Sequence, residues 1–516
     1  MTADKLKVLI FYQRNWGMRF GQFLCERLER TYPGTEFSAL IFKRTARESL
    51  EQQKTIHSSR SWFWEDHLDD PARYVGDDPT TLDEIAAALG VDSIWPFVQS
   101  LRIHVKDYAR KYYYAFTQST PDAEIRRIVV MTYKLIVEML DTVRPNLIIM
   151  PNAVALPHLF MLTLARKRGI FVRNVTDTKI SGYYMWVRDH NDAEGIVFDR
   201  FVQHAHTPVE SLPCFPEARN YLETFREKFI KPDYAAYVNN PDEALKKIIN
   251  PLFYLKMLEL AFRRKFSRKH RMPNTKAMHI DRLPPRLIIR DHVCEYRYLK
   301  AANGFAYDPI PDDFIYFPLQ FQPEQTIDVI APHFNNQLEC ARLTAMSMPG
   351  SLALVVKDHP AMAGKRSPEY LFKLKHQVNI CLVDYRTPSK TLLARARGVI
   401  APSGTTLVEA AFLNKPVIQF GNLGVSLLLP QVKQCTDFTR LSALIKSHML
   451  GFDPTRPEND QALLRYIALA MEYGFKMNYG GIWEGGSQDD KEPMWHHLHG
   501  EIAAWLAEGK GTMRTQ

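Results

Sequence analysis

Leu352-Ala353-Leu354-Val355-Val356 runs into Lys357-Asp358-His359-Pro360, and Gly398-Val399-Ile400-Ala401 runs into Pro402-Ser403-Gly404-Thr405-Thr406-Leu407-Val408-Glu409-Ala410-Ala411. A third apolar run, Pro416-Val417-Ile418-Gln419-Phe420-Gly421, follows. Short apolar, partly β-branched runs that end in polar loops read as strands buried in a parallel sheet. Such sheets bind ligands beyond the C-terminal ends of their strands. A loop rich in Ser, Gly and Thr that opens a helix offers backbone N–H groups and a positive dipole end to a phosphate. Glu409 falls in the first turns of that helix, within reach of a ribose hydroxyl. The pattern suits a nucleotide monophosphate or diphosphate sugar.

Each residue has a plainer reading beside the functional one. His359 stands at a strand end, followed by a proline of fixed φ. It can donate a hydrogen bond to a phosphate or a departing nucleotide oxygen, or be a structural histidine. Ser403 lies 44 residues downstream, enough for one β-α-β step, and adjacent parallel strands would bring both loops to one sheet edge. Lys357 is a second cation for phosphate or a surface lysine. Ser403, Gly404, Thr405 and Thr406 offer N–H groups and hydroxyls to a phosphate, or simply cap the helix. Thr405 and Glu409 share a helix face. Gln320-Phe321-Gln322-Pro323-Glu324 follows another apolar run, and Glu324 can meet sugar hydroxyls or only complete a turn.

The rest of the chain frames these loops. Lys7-Val8-Leu9-Ile10-Phe11-Tyr12, Phe37–Phe42, Leu147–Met150 and Ile170–Val175 read as strands alternating with helices near 124–142 and 156–168, the mark of a doubly wound parallel sheet. Residues 45–125 read as mostly helical. Residues 215–305 break the rhythm with five spaced prolines, at 216, 232, 241, 251 and 273, among charged stretches. A helix is expected over about 460–475. With 516 residues the chain is long enough for two or three domains. Its 46% hydrophobic and 24% charged content is that of an ordinary globular protein. No apolar run approaches the ~20 residues that cross a bilayer, and the opening residues leave no room for a signal peptide. Six scattered cysteines without a Cys-x-x-Cys pair point to a reducing cytoplasm and away from structural zinc. The net charge of +9 allows nucleic acid, anionic lipid or an anionic polymer as partner. Arg263-Arg264-Lys265 and Arg268-Lys269-His270-Arg271 follow Leu252-Phe253-Tyr254-Leu255, a combination that can lie on an acidic membrane or form a solvated helix face. His496, His497 and His499 lack partners at metal-ligand spacing, Gly480-Gly481 and Gly485-Gly486 lack a P-loop ending, and no RNA-binding module is visible.

Lys-x-His-Pro, Ser-Gly-Thr-x-x-x-Glu-Ala, Lys-Pro-Val-Ile and the segment Tyr316–Glu324 resemble the donor side of GT-B glycosyltransferases, and most closely the bacterial capsule polysaccharide biosynthesis family, which includes Kdo transferases. The resemblance is specific over roughly 310–425, architectural over 1–210, and absent over 215–300. It implies an α/β fold with two Rossmann-like doubly wound domains facing a cleft and a helical insertion. The corresponding boundaries are 1–210 for an acceptor-side domain, 211–308 for a helical connector, 309–455 for a donor domain and 456–516 for helices packing back on the first domain. It further implies a metal-independent glycosyltransferase of surface polysaccharide assembly, with a CMP-Kdo donor suggested and no cofactor beyond the nucleotide-sugar co-substrate. Lys357, His359, Ser403–Thr406 and Glu409 would hold the donor, Glu409 on the nucleotide. Glu324 and His359 would join the chemistry. An inverting reaction needs a base for the acceptor hydroxyl. Asp177 is preferred for its strand-end position, with Asp189 and His190 further on, and an ordinary loop aspartate is the alternative. Arg14 and Asn15 can meet an anionic glycan or lipid-linked acceptor. The expected location is the cytoplasm, in peripheral contact with an anionic inner membrane. Three other functions stay open: a nucleotide-sugar epimerase, a polyol-phosphate transferase and a non-catalytic capsule assembly or export factor.

Overall fold

The computed structural model describes residues 5–13, 15–43, 46–47, 50, 58–101, 120–230, 246, 249–266, 285–362, 365–484, 487 and 489–508. These fall into two units. The first gathers Met1–Val98, Arg126–Tyr237 and Asp460–Gln516, and the second Gln99–Ile125 and Val238–Asn459, each taken over its described residues.

The first unit is built on β1 (Lys7–Tyr12), β2 (Glu36–Ile41), β3 (Arg60–Phe63), β4 (Leu147–Met150), β5 (Phe171–Asp177) and β6 (Tyr183–Val187), joined by β13 (Phe475–Lys476). The spatial order is β13-β6-β5-β4-β1-β2-β3. β1 to β5 run parallel, and β6 and β13 run antiparallel at one edge. In β1 the residues Val8, Ile10 and Tyr12 share a core with Phe20, Phe23, Leu24 and Leu28 of the helix Asn15–Thr31, as the two periods of 2 and 3.6 require. The helix Glu492–Ala507 adds Met494, Trp495, Leu498 and Ile502 to that core, and Trp186 Nε1 donates to the Met494 carbonyl at 3.2 Å.

The second unit holds β7 (Phe314–Pro318), β8 (Ala353–Lys357), β9 (Ile380–Val383), β10 (Val399–Ala401), β11 (Val417–Gln419) and β12 (Val432–Gln434), all parallel in the order β12-β11-β10-β7-β8-β9. Ile315 and Phe317 of β7 face a core that includes Tyr298 and Leu299 of the helix Pro285–Asn303, Cys340 and Ala341 of Gln337–Met346, and Leu371 and Leu374 of Pro368–Lys375.

The α/β class with two doubly wound sheets is thus the one expected. Three details differ. β3 lies in the stretch read as mostly helical, because a four-residue edge strand with exposed Arg60 and Ser61 shows no clear period. β6 and β13 make one edge of the first sheet antiparallel, which strand–helix alternation does not signal. β9 lies between β8 and β10 in sequence, so two crossovers separate the His359 loop from the Ser403 loop.

Candidate functional site at the switch point of the second sheet

From β7 the chain moves outward through β8 and β9, then returns to the other side of β7 with β10. The strand order therefore reverses between β7 and β10, and this is where a doubly wound sheet opens a crevice beyond its strand ends. The loops after β7, β8 and β10 carry Gln320–Glu324, Asp358–His359 and Pro402–Gly404. β8 and β10 are not neighbours as the 44-residue spacing suggested. β7 stands between them, and Gln320 in the loop after it reaches both ways: its carbonyl accepts from Arg366, the partner of Asp358, and its amide lies against Gly404.

Gln320, Gln322 and Gln337 form a buried ladder. Gln337 Nε2 donates to the Gln320 carbonyl at 3.2 Å and to Gln322 Oε1 at 2.8 Å, and Gln322 Nε2 donates to the Asn335 carbonyl at 2.7 Å. The turn polarity noted in the sequence therefore has a structural use for its two glutamines. Glu324 is exposed, and its Oε2 accepts from Thr326 Oγ1 at 2.9 Å. On the other side of the ladder, Arg366 Nη2 donates to the Gln320 carbonyl at 2.8 Å, while its Nη1 pairs with Asp358 Oδ1. Asp358 also accepts from Tyr298 Oη at 3.0 Å and from the His359 N–H at 2.8 Å. Asp358, Arg366, Gln337 and Tyr298 received no role from sequence. Alternation alone sets Asp358 on the face opposite Lys357 and His359, a usable signal. Arg366, a fold-level partner, had none.

His359 lies over the edge of Phe321, with ring centroids 6.0 Å apart. The Ala361 N–H donates to its Nδ1 at 3.1 Å. Burial, reinforced by Lys357, Arg366 and Lys365, pushes the imidazole down to about 3. A neutral ring whose Nδ1 accepts must carry its proton on Nε2. His359 is therefore a neutral hydrogen-bond donor. Lys357 ends β8 and is buried.

The helix Thr405–Phe412 begins after Gly404, an N-cap residue with no side chain to close the helix start. Gly404 has φ +116° and ψ 166°, a region open only to glycine. Ser403, which sequence offered as a cap, is 0% exposed, and its hydroxyl has no hydrogen-bond partner. Thr405, Thr406 and Glu409 are half-buried. The negative charge of Glu409 is felt at buried Tyr316 of β7, whose hydroxyl is held by Ser389, and adds to the burial that raises the phenol. The loops after β8 and β10 thus hold a glycine N-cap, a buried unpaired hydroxyl, a neutral histidine donor and a buried lysine, groups of the kind that can meet an anion.

In the first unit Asp177 is the last residue of β5 and is held by Lys179, whose Nζ and backbone N–H donate at 2.8 Å and 2.9 Å. Beside them Asp192 is buried, accepts from Thr176 Oγ1 at 2.9 Å through Oδ2, and leaves Oδ1 without a partner. Burial raises Asp192 to about 7. Asp189 caps its loop through the N–H groups of Asn191, Ala193 and Glu194. Burial lowers His190. Arg14 lies outside the described residues, and Asn15 is described in its backbone alone. Next to them Gln13 meets His158 and the Asn152 carbonyl at the β1/β4 reversal of the first sheet, a contact sequence did not suggest. His499 stacks on Trp495, and among the described residues no group of His, Cys, Asp and Glu could hold a metal.

Fold and site together define an α/β protein of two doubly wound sheets with polar loops gathered at the switch point of the second. No protein-family model matches the chain, and no curated protein matches it. Solved structures do. A Neisseria meningitidis UDP-GlcNAc 2-epimerase bound to UDP-GlcNAc aligns over 90% of this chain and 98% of its own, at 10% identity and a TM-score of 0.22. A Methanocaldococcus jannaschii UDP-GlcNAc 2-epimerase in complex with UDP-GlcNAc and UDP aligns over 91% and 100%, at 13% and 0.26. The Thermosulfurimonas dismutans KpsC, a beta Kdo 2,7 transferase, aligns over 68% and 97%, at 13% and 0.32. Scores this low do not bear on the reaction.

Proposed function

We propose that the protein is a glycosyltransferase that takes its sugar from a nucleotide-activated donor, with CMP-Kdo the donor its sequence resemblance favours. The donor phosphate sits at Ser403–Thr406, the neutral His359 donates to it from Nε2, Lys357 offsets its charge, and Glu409 contacts the nucleotide. Catalysis is then largely positioning and stabilisation of leaving-group charge. In the first unit the same reading makes Asp177 the base, which requires Lys179 to release its carboxylate. Glu324 meets sugar hydroxyls, and Arg14 and Asn15 meet a glycan or lipid-linked acceptor of bacterial surface polysaccharide assembly. Peripheral contact with an anionic membrane is a separate expectation of the sequence and is taken up below.

One observation carries it: the Ser403 hydroxyl is fully buried and unpartnered beside the glycine N-cap of the helix Thr405–Phe412. Burying a hydroxyl without a partner costs about 1–3 kcal/mol, which a bound phosphate would recover.

Thermal unfolding with CMP, CDP, UDP and GDP tests it on the wild type, Ser403→Ala and His359→Ala. One nucleotide should stabilise the wild type, by ~2.7 kcal/mol at 100 times its Kd, and both variants should lose most of that shift. If no nucleotide shifts the wild type, the donor site is disproved. Incubating the matching nucleotide sugar without acceptor separates the chemistries, since an epimerase changes the sugar and a transferase leaves it intact.

A further inference from the structure

The helix Pro251–Phe266 packs on the helix Pro285–Asn303 of the same unit. Phe253, Met257 and Leu260 point inward, and Phe253 meets His292 edge-on at 4.9 Å. On the outward face Leu252, Leu255, Leu258, Phe262 and Phe266 are between 60% and 67% exposed, and Tyr254 beside them is 36% exposed. At ~100° per residue these side chains form one stripe directly opposite the packed face. The helix is about 24 Å long, and its apolar residues run from one end to the other. A contiguous exposed stripe of this size marks an interaction surface.

The charges choose the occupant. Lys256 and Arg263 border the stripe on one side and Lys265 on the other, all exposed. The acid on this face, Glu259, is neutralised by Arg263 at 2.6 Å. The sequence that follows continues with Arg268, Lys269 and Arg271. Apolar and aromatic residues flanked by cations, on a helix lying along a surface, match the boundary between anionic headgroups and acyl chains. No helix among the described residues is long and apolar enough to cross a membrane.

We propose that the outward face of Pro251–Phe266 docks the second unit on an anionic lipid surface, with Leu255, Leu258, Phe262 and Phe266 entering the headgroup boundary and Lys256 and Lys265 meeting lipid phosphates. This goes beyond the donor site and stands independently of it.

Sedimentation of the full chain with lipid vesicles, without nucleotide or acceptor, tests the surface. The wild type should bind vesicles containing about one third phosphatidylglycerol, bind pure phosphatidylcholine weakly, and release in ~0.5 M salt. Leu255→Gln with Phe262→Gln should cut partitioning at least ~tenfold, with the unfolding temperature unchanged because both side chains are exposed. Lys256→Gln with Lys265→Gln should reduce binding to the anionic vesicles alone. Absence of vesicle binding, or equal binding by the apolar double variant, would overturn the proposal. So would a dimer in lipid-free solution that the same variant dissolves, since a second copy would then cover the stripe.

Discussion

The amide of Gln320 fills the space that a side chain at position 404 would need: its Oε1 lies 2.4 Å from where a β-carbon on Gly404 would stand. The loops after β7 and β10 are fitted to each other across the point where the strand order reverses. Gly404→Ala therefore meets two obstacles, the glycine-only backbone and the Gln320 amide. It should destabilise the fold by about 1–3 kcal/mol in urea unfolding. Adding Gln320→Ala should restore only the part due to overlap, because the backbone strain persists. Full rescue would show that the backbone conformation is unimportant.

Asp358 and Arg366 form a fully buried ion pair that supports the same loops. Arg366→Met alone should cost about 3–5 kcal/mol, because it strands a buried carboxylate. Asp358→Asn with Arg366→Met should cost clearly less than the sum of the two single changes. A urea double-mutant cycle reads this directly, and additivity would mean that the pair is not coupled.

Asp192 predicts a pH dependence. Its folded-state pKa of about 7 lies above the ordinary 3.8. The unfolded chain ionises first as pH rises, so this group lowers stability progressively from pH 3.8 to about 7, and the penalty is complete above that. Asp192→Asn should raise stability at pH 8 by about 1–3 kcal/mol and leave it nearly unchanged at pH 4. Asparagine tolerates the φ of +53° at this position.

His359 has the opposite slope. Its folded-state pKa of about 3 is below the ordinary 6.5, so its contribution is present above pH 6.5 and is lost as pH falls toward 3. Chemical denaturation at pH 7 and pH 5 should show a smaller drop for His359→Gln than for the wild type. Nucleotide affinity should show no step between pH 6 and 8 from this ring, since it stays neutral throughout. A step abolished by His359→Gln would mean that the imidazole gains a proton in the complex.

Ser403→Ala should separate stability from binding. It removes an unpartnered buried hydroxyl, so the ligand-free protein should be unchanged or up to about 1 kcal/mol more stable. The nucleotide-induced shift should fall. Loss of stability without ligand would point to a structural bond for this hydroxyl.

Much of the second sheet was legible because its strands are short apolar runs with nothing else to do but be buried. Ala353–Lys357 and Val399–Ala401 match the quoted runs within a residue, and the helix Pro457–Tyr473 lies within three residues of its expected bounds. The loops after them were legible because Ser-Gly-Thr favours a helix start and His359 is followed by a proline of fixed φ. β9 was not, since Ile380–Val383 is four residues long and followed by a plain turn. The Gln337, Tyr298 and Arg366 partners were not, since each is supplied by a helix or loop far along the chain.

Composition and patterning alone determined the α/β class, the strands that flank the loops, and the residue types offered to an anion, because these depend on period and on local backbone preference. Tertiary structure decided that β7 separates β8 from β10, that Gly404 rather than Ser403 is the N-cap of the helix, and that Asp358 belongs to Arg366. A strand's neighbours are chosen by the packing of its crossover helices, and a buried polar group takes whatever partner the fold brings within hydrogen-bond reach. Neither choice is written in the residues nearby.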